Sequence, residues 1–303
     1  MGYEDTLRSL KVKNNLYVGG SLLGQVPGTN WFVDPAMSSS GSGTSWSGAF
    51  KTLKEAVAVA VSKDVIYLAP GTHTGPSTGA AVTISASNIT LIGVGPQGSV
   101  VVGYQYNPLA AGTIATGALI VTGQNVEVNN IDFSGGNGAV YGVLVKGDSF
   151  RAFDCKFEMQ NDVGIALQFL PTAVTGTTAS LAIIKNCLFD WCETGISFET
   201  VGGCACTEDH IVNCVFENCS VNCINERVAD SVRALEITNC VFQDIENGTA
   251  PTKYIELSNV NNTGIVSGCI FPVAVNGALV LMSAKVHCIG CVFAGGMNTG
   301  QPS

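Results

Sequence analysis

The sequence predicts an all-β solenoid: one rod of stacked coils, with a short helix near its N-terminal end and a separate leader. Only 12% of the 303 residues are charged, whereas about a quarter are charged in typical soluble domains. The 36 glycines, together with many Val, Ile, Thr, Ser and Asn, favour strands and tight turns. From residue 130 onward, a short segment ending in Phe recurs every 22 to 32 residues. Such repetition is typical of a solenoid.

The first thirty residues differ from the rest of the chain. They contain NNLYVGGSLLGQVPGT, which is rich in glycine and carries Leu16, Tyr17, Leu22 and Leu23. A segment of this kind cannot bury a core of its own. We therefore predict that residues 1–30 form a docking segment that attaches to another protein through these apolar side chains. A poorly ordered tail is the alternative that the sequence leaves open.

A capping helix is predicted at about residues 52–62. Thr52 and Glu55 form a T-x-x-E capping box, in which each side chain bonds to the other's backbone N–H. Apolar residues at helical spacing then form one face: Leu53, Ala56, Val57 and Ala60. The following segment, Val-Ile-Tyr-Leu at 65–68, predicts a strand that the Ala-Pro-Gly at 69–71 ends.

The order of these signals in residues 31–75 resembles the N-terminal cap of the pectate-lyase-like right-handed parallel β-helix superfamily. The features concerned are a V-D-P turn, a Gly/Ser-rich loop, the string A-F-K-T-L, a helix and an I-Y-L-A-P-G-T strand. The resemblance implies that residues 31–303 form one single-stranded, right-handed parallel β-helix.

Internal repetition supports the same fold. Seven segments align on Phe: NIDF at 130–133, DCKF at 154–157, NCLF at 186–189, NCVF at 213–216 and 239–242, GCIF at 268–271 and GCVF at 290–293. Each unit is too short to cover its own apolar face, so successive units must stack. At about 4.8 Å per coil, roughly nine coils make a rod about 40–45 Å long.

The period of two in a strand puts the Cys and Phe of each C-x-F segment on the inward face. We therefore expect an interior stack of Phe133, Phe157, Phe189, Phe216, Phe242, Phe271 and Phe293. A column of thiols should run beside it: Cys155, Cys187, Cys214, Cys240, Cys269 and Cys291. The residue three before each Phe is Asn, Asp or Gly, and these types tolerate the left-handed backbone conformation that a bend requires.

The residue between Cys and Phe should face outward, and its character changes along the chain. Asp132 and Lys156 are charged, and the next five residues are aliphatic: Leu188, Val215, Val241, Ile270 and Val292. An aliphatic stripe along the outside of a rod predicts an interface between copies of the chain, most simply in a homo-oligomer. β-propensity alone is the alternative explanation, since Val and Ile suit any strand.

Charge and targeting signals exclude several classes of function. After residue 13 the chain has 11 basic and 21 acidic side chains, so its body has no basic stripe to bind nucleic acid. The start, MGYEDTLRSLKVKNN, lacks the apolar core of a signal peptide, and no apolar run is long enough for a membrane span. We therefore expect the 12 cysteines to be thiols of a protein made in a reducing cytoplasm.

One group of potential metal ligands falls within twenty residues: Cys204, Cys206, His210, Cys214, Cys219 and Cys223. Thiolate and imidazole are zinc ligands. However, the paired C-x-x-C spacing of zinc knuckles is missing, and Cys214 belongs to the interior column. We interpret the group as structural thiols and expect no metal and no cofactor.

Glu158, Asp190 and Glu217 directly follow the Phe of three consecutive repeats. On neighbouring coils they would lie about 5 Å apart, close to the separation of the two carboxyl groups in retaining glycosidases. Crowding of this kind also raises the pKa of one carboxyl group. Acids collect at solvated turns as well, and we favour that interpretation, with catalysis as the alternative. The D-D and G-H-G signatures of polygalacturonases are missing, so the resemblance does not transfer an activity.

Together these features resemble the β-helical appendages of bacteriophages: tailspikes, fibres and capsid decorations. The resemblance implies a non-enzymatic virion structural protein that assembles in the host cytoplasm. It would bind another virion protein through residues 1–30 and other copies of itself through the stripe, with a homotrimer as the assembly that the resemblance implies. Two alternatives stay open: a polysaccharide-degrading lyase or hydrolase of the tailspike type, and a host-surface adhesin that binds a glycan without cutting it.

Overall fold

The computed structural model describes residues 16–18, 21–23, 28–73, 82–94, 101–104, 119–135, 141–159, 164–171, 179–199, 206–227, 232–243, 251–272 and 279–293. These residues form a right-handed parallel β-helix with three long parallel sheets. From the coil of Thr90–Gly93 onward, each coil contributes a strand to the first sheet, turns a bend into the second sheet, and then enters the third. Strands inside a sheet thus pair with the equivalent strands of the coils before and after, and the first and last strands of each sheet pair on one side.

The first sheet has ten strands: Asn30–Val33, Val65–Leu68, Thr90–Gly93, Glu127–Asn129, Arg151–Phe153, Ile183–Lys185, His210–Val212, Leu235–Thr238, Gly264–Ser267 and Val286–Ile289. The second has eight: Val101–Tyr104, Asp132–Gly135, Lys156–Met159, Leu188–Asp190, Val215–Glu217, Val241–Gln243, Ile270–Phe271 and Val292–Phe293. The third also has eight: Val82–Ile84, Leu119–Val121, Tyr141–Val145, Ile165–Phe169, Thr194–Phe198, Asn222–Glu226, Lys253–Leu257 and Leu279–Met282. The first sheet is one strand longer than the nine coils that the sequence predicts.

The predicted capping helix is present but shorter than expected. It spans Leu53–Val59, and the Thr52–Glu55 capping box is formed in both directions. The prediction that it extends to residue 62 is wrong, because Ala60 already has an extended backbone conformation. Beyond it, the Asp64 carboxylate accepts a hydrogen bond from the N–H of Val61 at 2.9 Å and turns the chain into the next strand.

The interior stacks form as the C-x-F pattern predicts. The seven phenylalanine rings lie in one continuous pile with neighbouring centroids 4.7–5.1 Å apart. The first five cysteines of the adjacent column are buried, and each of these five thiols donates to the backbone carbonyl of a neighbouring strand. Burial of six of the seven rings and of these thiols makes this region the centre of the hydrophobic core.

The bend between the first and second sheets is also confirmed. The residue three before each Phe has a positive φ of 53° to 64° in all seven repeats, whether it is Asn, Asp or Gly. A second column of positive-φ residues precedes the first sheet: Lys63, Asn88, Asn125, Ser149, Leu181, Glu208 and Ala234. The sequence does not reveal this second bend, because its residues share no type.

Part of the leader is described by its backbone. Leu16–Val18 and Ser21–Leu23 pair as a two-stranded antiparallel ribbon, with Leu16 opposite Leu23 and Tyr17 opposite Leu22. The rest of residues 1–27 lies outside the described residues, so the docking role stays a prediction. A further small parallel pair joins Cys206–Thr207 to Val232–Arg233. Among the described residues, no helix is long and apolar enough to span a membrane.

Candidate functional site

The outward face of the second sheet carries every internal residue singled out as a candidate interface or catalytic residue. Strand register places Leu188, Val215, Val241, Ile270 and Val292 in one column along five consecutive coils. The first three are half-buried, whereas Ile270 is 46% exposed and Val292 is 57% exposed. The stripe is therefore continuous and becomes most accessible in the last two described coils.

The apolar surface extends around the bend onto the first sheet. Ile265 is 39% exposed and Ile289 is 57% exposed in the same two coils. Gly268 and Gly290 form the bend between the two sheets. We call the four side chains of Ile265, Ile270, Ile289 and Val292 the apolar patch. The sequence identified two of these four residues, because the C-x-F alignment covers only the second sheet.

The three candidate carboxylates are brought together as predicted. Glu158 is in register with Asp190, and Asp190 is in register with Glu217. The structure also places the ammonium group of Lys156 beside them, which the sequence did not predict. Lys156 Nζ lies 2.7 Å from Glu158 Oε2 and 3.4 Å from Asp190 Oδ2. The lysine thus neutralises part of the charge of two neighbouring coils.

Amide side chains bind two further carboxylate oxygens. Asn218 Nδ2 donates to Asp190 Oδ1 at 3.0 Å, and Gln243 Nε2 donates to Glu217 Oε2 at 2.8 Å. Asp190 is only 7% exposed, so its two oxygens, one hydrogen-bonded to Asn218 and the other ion-paired with Lys156, are largely removed from water. Glu158 and Glu217 are partly exposed, so Asp190 is the one carboxylate of the three that is buried.

Asp132 is a titratable group of this cluster that the sequence did not predict as a site residue. It lies next to Lys156 in strand register, and its Oδ1 atom is buried without a hydrogen-bond partner. Burial raises the pKa of Asp132 to about 6; Lys156 opposes the rise, while Glu158 and Asp190 add to it. The cluster therefore offers one carboxyl group that exchanges a proton near neutral pH beside two carboxylates that lysine holds. Such a proton donor is a requirement of general acid catalysis.

The group of cysteines and histidine does not converge. Cys214 hydrogen-bonds within the interior column, and Cys219 contacts Cys192 and Cys223. His210 lies on the outward side of the first sheet, where its Nδ1 is 2.7 Å from Glu236 Oε2. Cys204 lies outside the described residues. No cluster of three or more His, Cys, Asp and Glu residues able to hold a metal occurs in the part of the chain that the structure describes.

Comparison with known proteins identifies the fold. Carrot pectin methylesterase aligns with 93% of this chain and 88% of its own at 14% identity and a TM-score of 0.61. Pectate lyase Pel9A aligns with 92% of this chain and 80% of its own at 15% identity and a TM-score of 0.57. A rhamnogalacturonan lyase aligns with 81% of this chain and 68% of its own at 17% identity and a TM-score of 0.55.

These likenesses show that the chain has the pectate-lyase-like β-helix fold. No protein-family model matches the sequence, and no curated protein sequence matches it.

Proposed function

We propose that this chain is a non-enzymatic structural rod of a virus particle, whose copies associate side by side through the apolar patch. The observation that carries this proposal is the register of aliphatic side chains on the outside of the last two described coils. Ile270 and Val292 are neighbours on adjacent strands, and each exposes about half of its surface. A contiguous apolar surface of this kind on a rod is typical of a protein–protein contact.

The viral assignment rests on the resemblance to phage appendages and on the leader. In the proposed particle, the predicted docking segment attaches the rod to another virion protein. The segment was predicted as residues 1–30, but Asn30–Val33 forms the first strand of the first sheet, so residues 1–27 are the part that the rod does not include. The rod begins at Gly28, whose N–H donates to the carbonyl of Lys63 at 3.1 Å. Removing residues 1–27 should therefore abolish attachment to the particle and leave the rod folded. A truncated protein that still copurifies with particles would overturn the docking role.

Self-association is tested by placing a charge in the apolar patch. Val292→Asp should lower the self-association constant at least tenfold in analytical ultracentrifugation, because burying an unpaired carboxylate at an interface is costly. Val260→Asp is the matched control, since Val260 is 72% exposed but lies in a turn outside the patch. Equal effects of the two substitutions, or a monomeric parent protein, would contradict the proposed interface.

A second candidate function is glycan processing by the carboxylate cluster. The specific observation in its favour is the raised pKa of Asp132 beside the paired carboxylates Glu158 and Asp190. The three compared structures are named as two enzymes of pectin and pectate and one lyase of rhamnogalacturonan. The substrate class to test for this cluster is therefore a polysaccharide of the pectin type.

The two functions are separated by incubating the purified protein with capsular and pectic glycans. The structural proposal expects no reducing ends, unsaturated products or released methanol. Turnover that Asp190→Asn or Glu217→Gln abolishes would replace it with the enzymatic one. Retention on a glycan column without turnover would indicate an adhesin.

A further inference from the structure

The last described coil carries two cysteines on opposite sides of a bend in a C-x-x-C arrangement. Cys288 and Cys291 are separated by Ile289 and Gly290, and theirs is the only C-x-x-C spacing in the sequence. They lie on the two sides of a bend, with Cys288 in the first sheet and Cys291 just before the second. The preceding coil has Val266 in register with Cys288.

The position of Cys288 is aliphatic in the six coils that precede it in this column. Strand register aligns it with Val128, Ala152, Ile184, Ile211, Ile237 and Val266, all of which are buried in the core. Cys288 therefore points inward, toward the column of thiols that ends in Cys291. The two cysteines are three residues apart across the bend, and the Cys291 thiol is near enough to raise the pKa of Cys288.

Accessibility distinguishes this pair from the other thiols. Of the eleven cysteines that the structure describes, nine are buried, and only Cys288 and Cys291 are partly exposed. Pairs such as Cys240 and Cys269 also touch, but both of their side chains are buried. A small reagent in solution can thus reach the terminal pair while the remaining described thiols stay protected.

The backbone at the bend also has room to adjust. Gly290 has a φ of +64°, and a Cβ atom placed on it would meet no atom within 4 Å. Within the described residues, the strands Val286–Ile289 and Val292–Phe293 each pair with a neighbour on one side alone. Small shifts that bring two sulfur atoms to bonding distance cost less here than between two fully paired coils.

We propose that Cys288 and Cys291 form an oxidation site that closes to an intramolecular disulfide by exchange with a low-molecular-weight disulfide of the glutathione type. The Cys291 thiolate attacks one sulfur of oxidised glutathione and releases a glutathione thiolate. The Cys288 thiolate then attacks the Cys291 sulfur of this mixed disulfide and releases the second. The protein loses two electrons and two protons, and two glutathione thiols are formed.

The order of attack follows from the environment of the two thiols. Burial and the neighbouring Cys291 thiol raise the pKa of Cys288 to about 12, so its thiolate is scarce at neutral pH. Cys291 therefore attacks first. Once Cys291 is part of the mixed disulfide, its thiol no longer raises the pKa of Cys288, and Cys288 then resolves that disulfide. The closure rate should increase with pH.

The experiment uses the intact folded protein. It is equilibrated with oxidised glutathione, alkylated and digested with trypsin. Cleavage after Lys285 releases residues 286–303, which contain Cys288 and Cys291 and no other cysteine. We expect this peptide to be unalkylated and two hydrogen atoms lighter than the reduced peptide. Cys214 and Cys240 should react with the alkylating reagent only after denaturation, because both are fully buried.

Cys288→Val is the matched variant, because it restores the residue type of the preceding coil and leaves Cys291 without its resolving partner. We expect a stable glutathione adduct on Cys291 in this variant and none in the parent. Two alkylated cysteines in the parent peptide, under conditions where the denatured protein closes the pair, would overturn the proposal. A disulfide from Cys291 to Cys269 would also overturn it.

Discussion

Asp132 shows how one position in a stacked column acquires its chemistry from its neighbours. The same outward position holds Lys156 in the next coil and aliphatic residues in the five coils after that. Asp132 is half-buried, has one oxygen without a hydrogen bond, and is repelled by the carboxylates of Glu158 and Asp190. Together these interactions disfavour its charged form.

Because the folded-state pKa of Asp132 is raised above that of the unfolded chain, it stabilises the fold only while protonated. That contribution is complete below pH 4 and is lost as pH rises through about 6. Asp132→Asn, which imitates the protonated carboxyl group, should therefore unfold at a higher urea concentration than the parent at pH 8. The difference should shrink toward pH 5. A difference of the same size at both pH values would contradict the raised pKa.

For single residues, the sequence predicted the side-chain orientations and register that depend on packing, and it missed the properties that depend on neighbouring charges. The inward phenylalanines and the register of Glu158, Asp190 and Glu217 follow from the period of two in a strand. The ion pairs of Lys156 and the pKa of Asp132 depend on distances between coils, which the spacing of a repeat does not contain. The roles assigned to the stripe and to the carboxylates are not decided by their positions and stay predictions.

The bends are the elements that turn short strands into a closed coil. Asn213 has a φ of +54°, and its side chain donates to Asn186 Oδ1 of the preceding coil at 3.4 Å. Asn186 in turn donates to Asp154 Oδ1 at 3.1 Å. The same position is glycine at 268 and 290, where φ is also positive. Backbone conformation rather than the amide ladder is thus what all seven repeats share.

Substitution at this bend should separate the two contributions. Asn213→Ala should lower the free energy of unfolding by about 1–2 kcal/mol, because alanine lacks the amide that helps Asn to adopt the left-handed region and that bonds to Asn186. Asn213→Gly should lose only the weak amide hydrogen bond and stay within about 1 kcal/mol of the parent. Urea denaturation of the three proteins measures both values. An alanine variant as stable as the glycine variant would show that the bend carries no strain.

The bend before the second sheet was predictable because its residue types are restricted. The bend before the first sheet was not, since Lys63, Leu181 and Ala234 occupy the left-handed region there. Their strain is compensated by the pairing of the flanking strands, as in the hydrogen bond from Leu181 N to the carbonyl of Thr207 at 2.9 Å. The end of the capping helix was also misplaced. Local helix propensity continues beyond Val59, whereas Ala60 is extended and the Asp64 carboxylate accepts a hydrogen bond from the N–H of Val61.

The whole molecule is a one-dimensional stack in which each coil rests on its two neighbours. Coils of this kind contribute intrinsic stability and nearest-neighbour contacts, so the rod has no single residue on which all others depend. The ring of Phe216 illustrates the arrangement, with centroids 4.8 Å from Phe189 and 5.1 Å from Phe242. Variation in repeat length is confined to the connections between sheets.

This arrangement predicts that one complete coil can be removed. Deleting residues 214–239 joins Asn213 to Cys240 and regenerates the string N-C-V-F at the junction. Phe242 would then stack on Phe189, and we expect a folded protein with a cooperative urea transition and a β-sheet circular dichroism spectrum. Deleting residues 214–226 removes half a coil, destroys the register and should give an aggregated protein. A shortened protein that unfolds non-cooperatively after whole-coil removal would contradict nearest-neighbour stacking.

In-register pairing along all three sheets also restricts how the rod can change its length during evolution. Gain or loss of a repeat moves the leader and the apolar patch apart or together in fixed steps of about 4.8 Å, the spacing between strands. Neither end has to be rebuilt when this happens. A rod of this kind therefore changes its length in whole-coil steps, and relatives of different length should differ by whole coils rather than by longer strands.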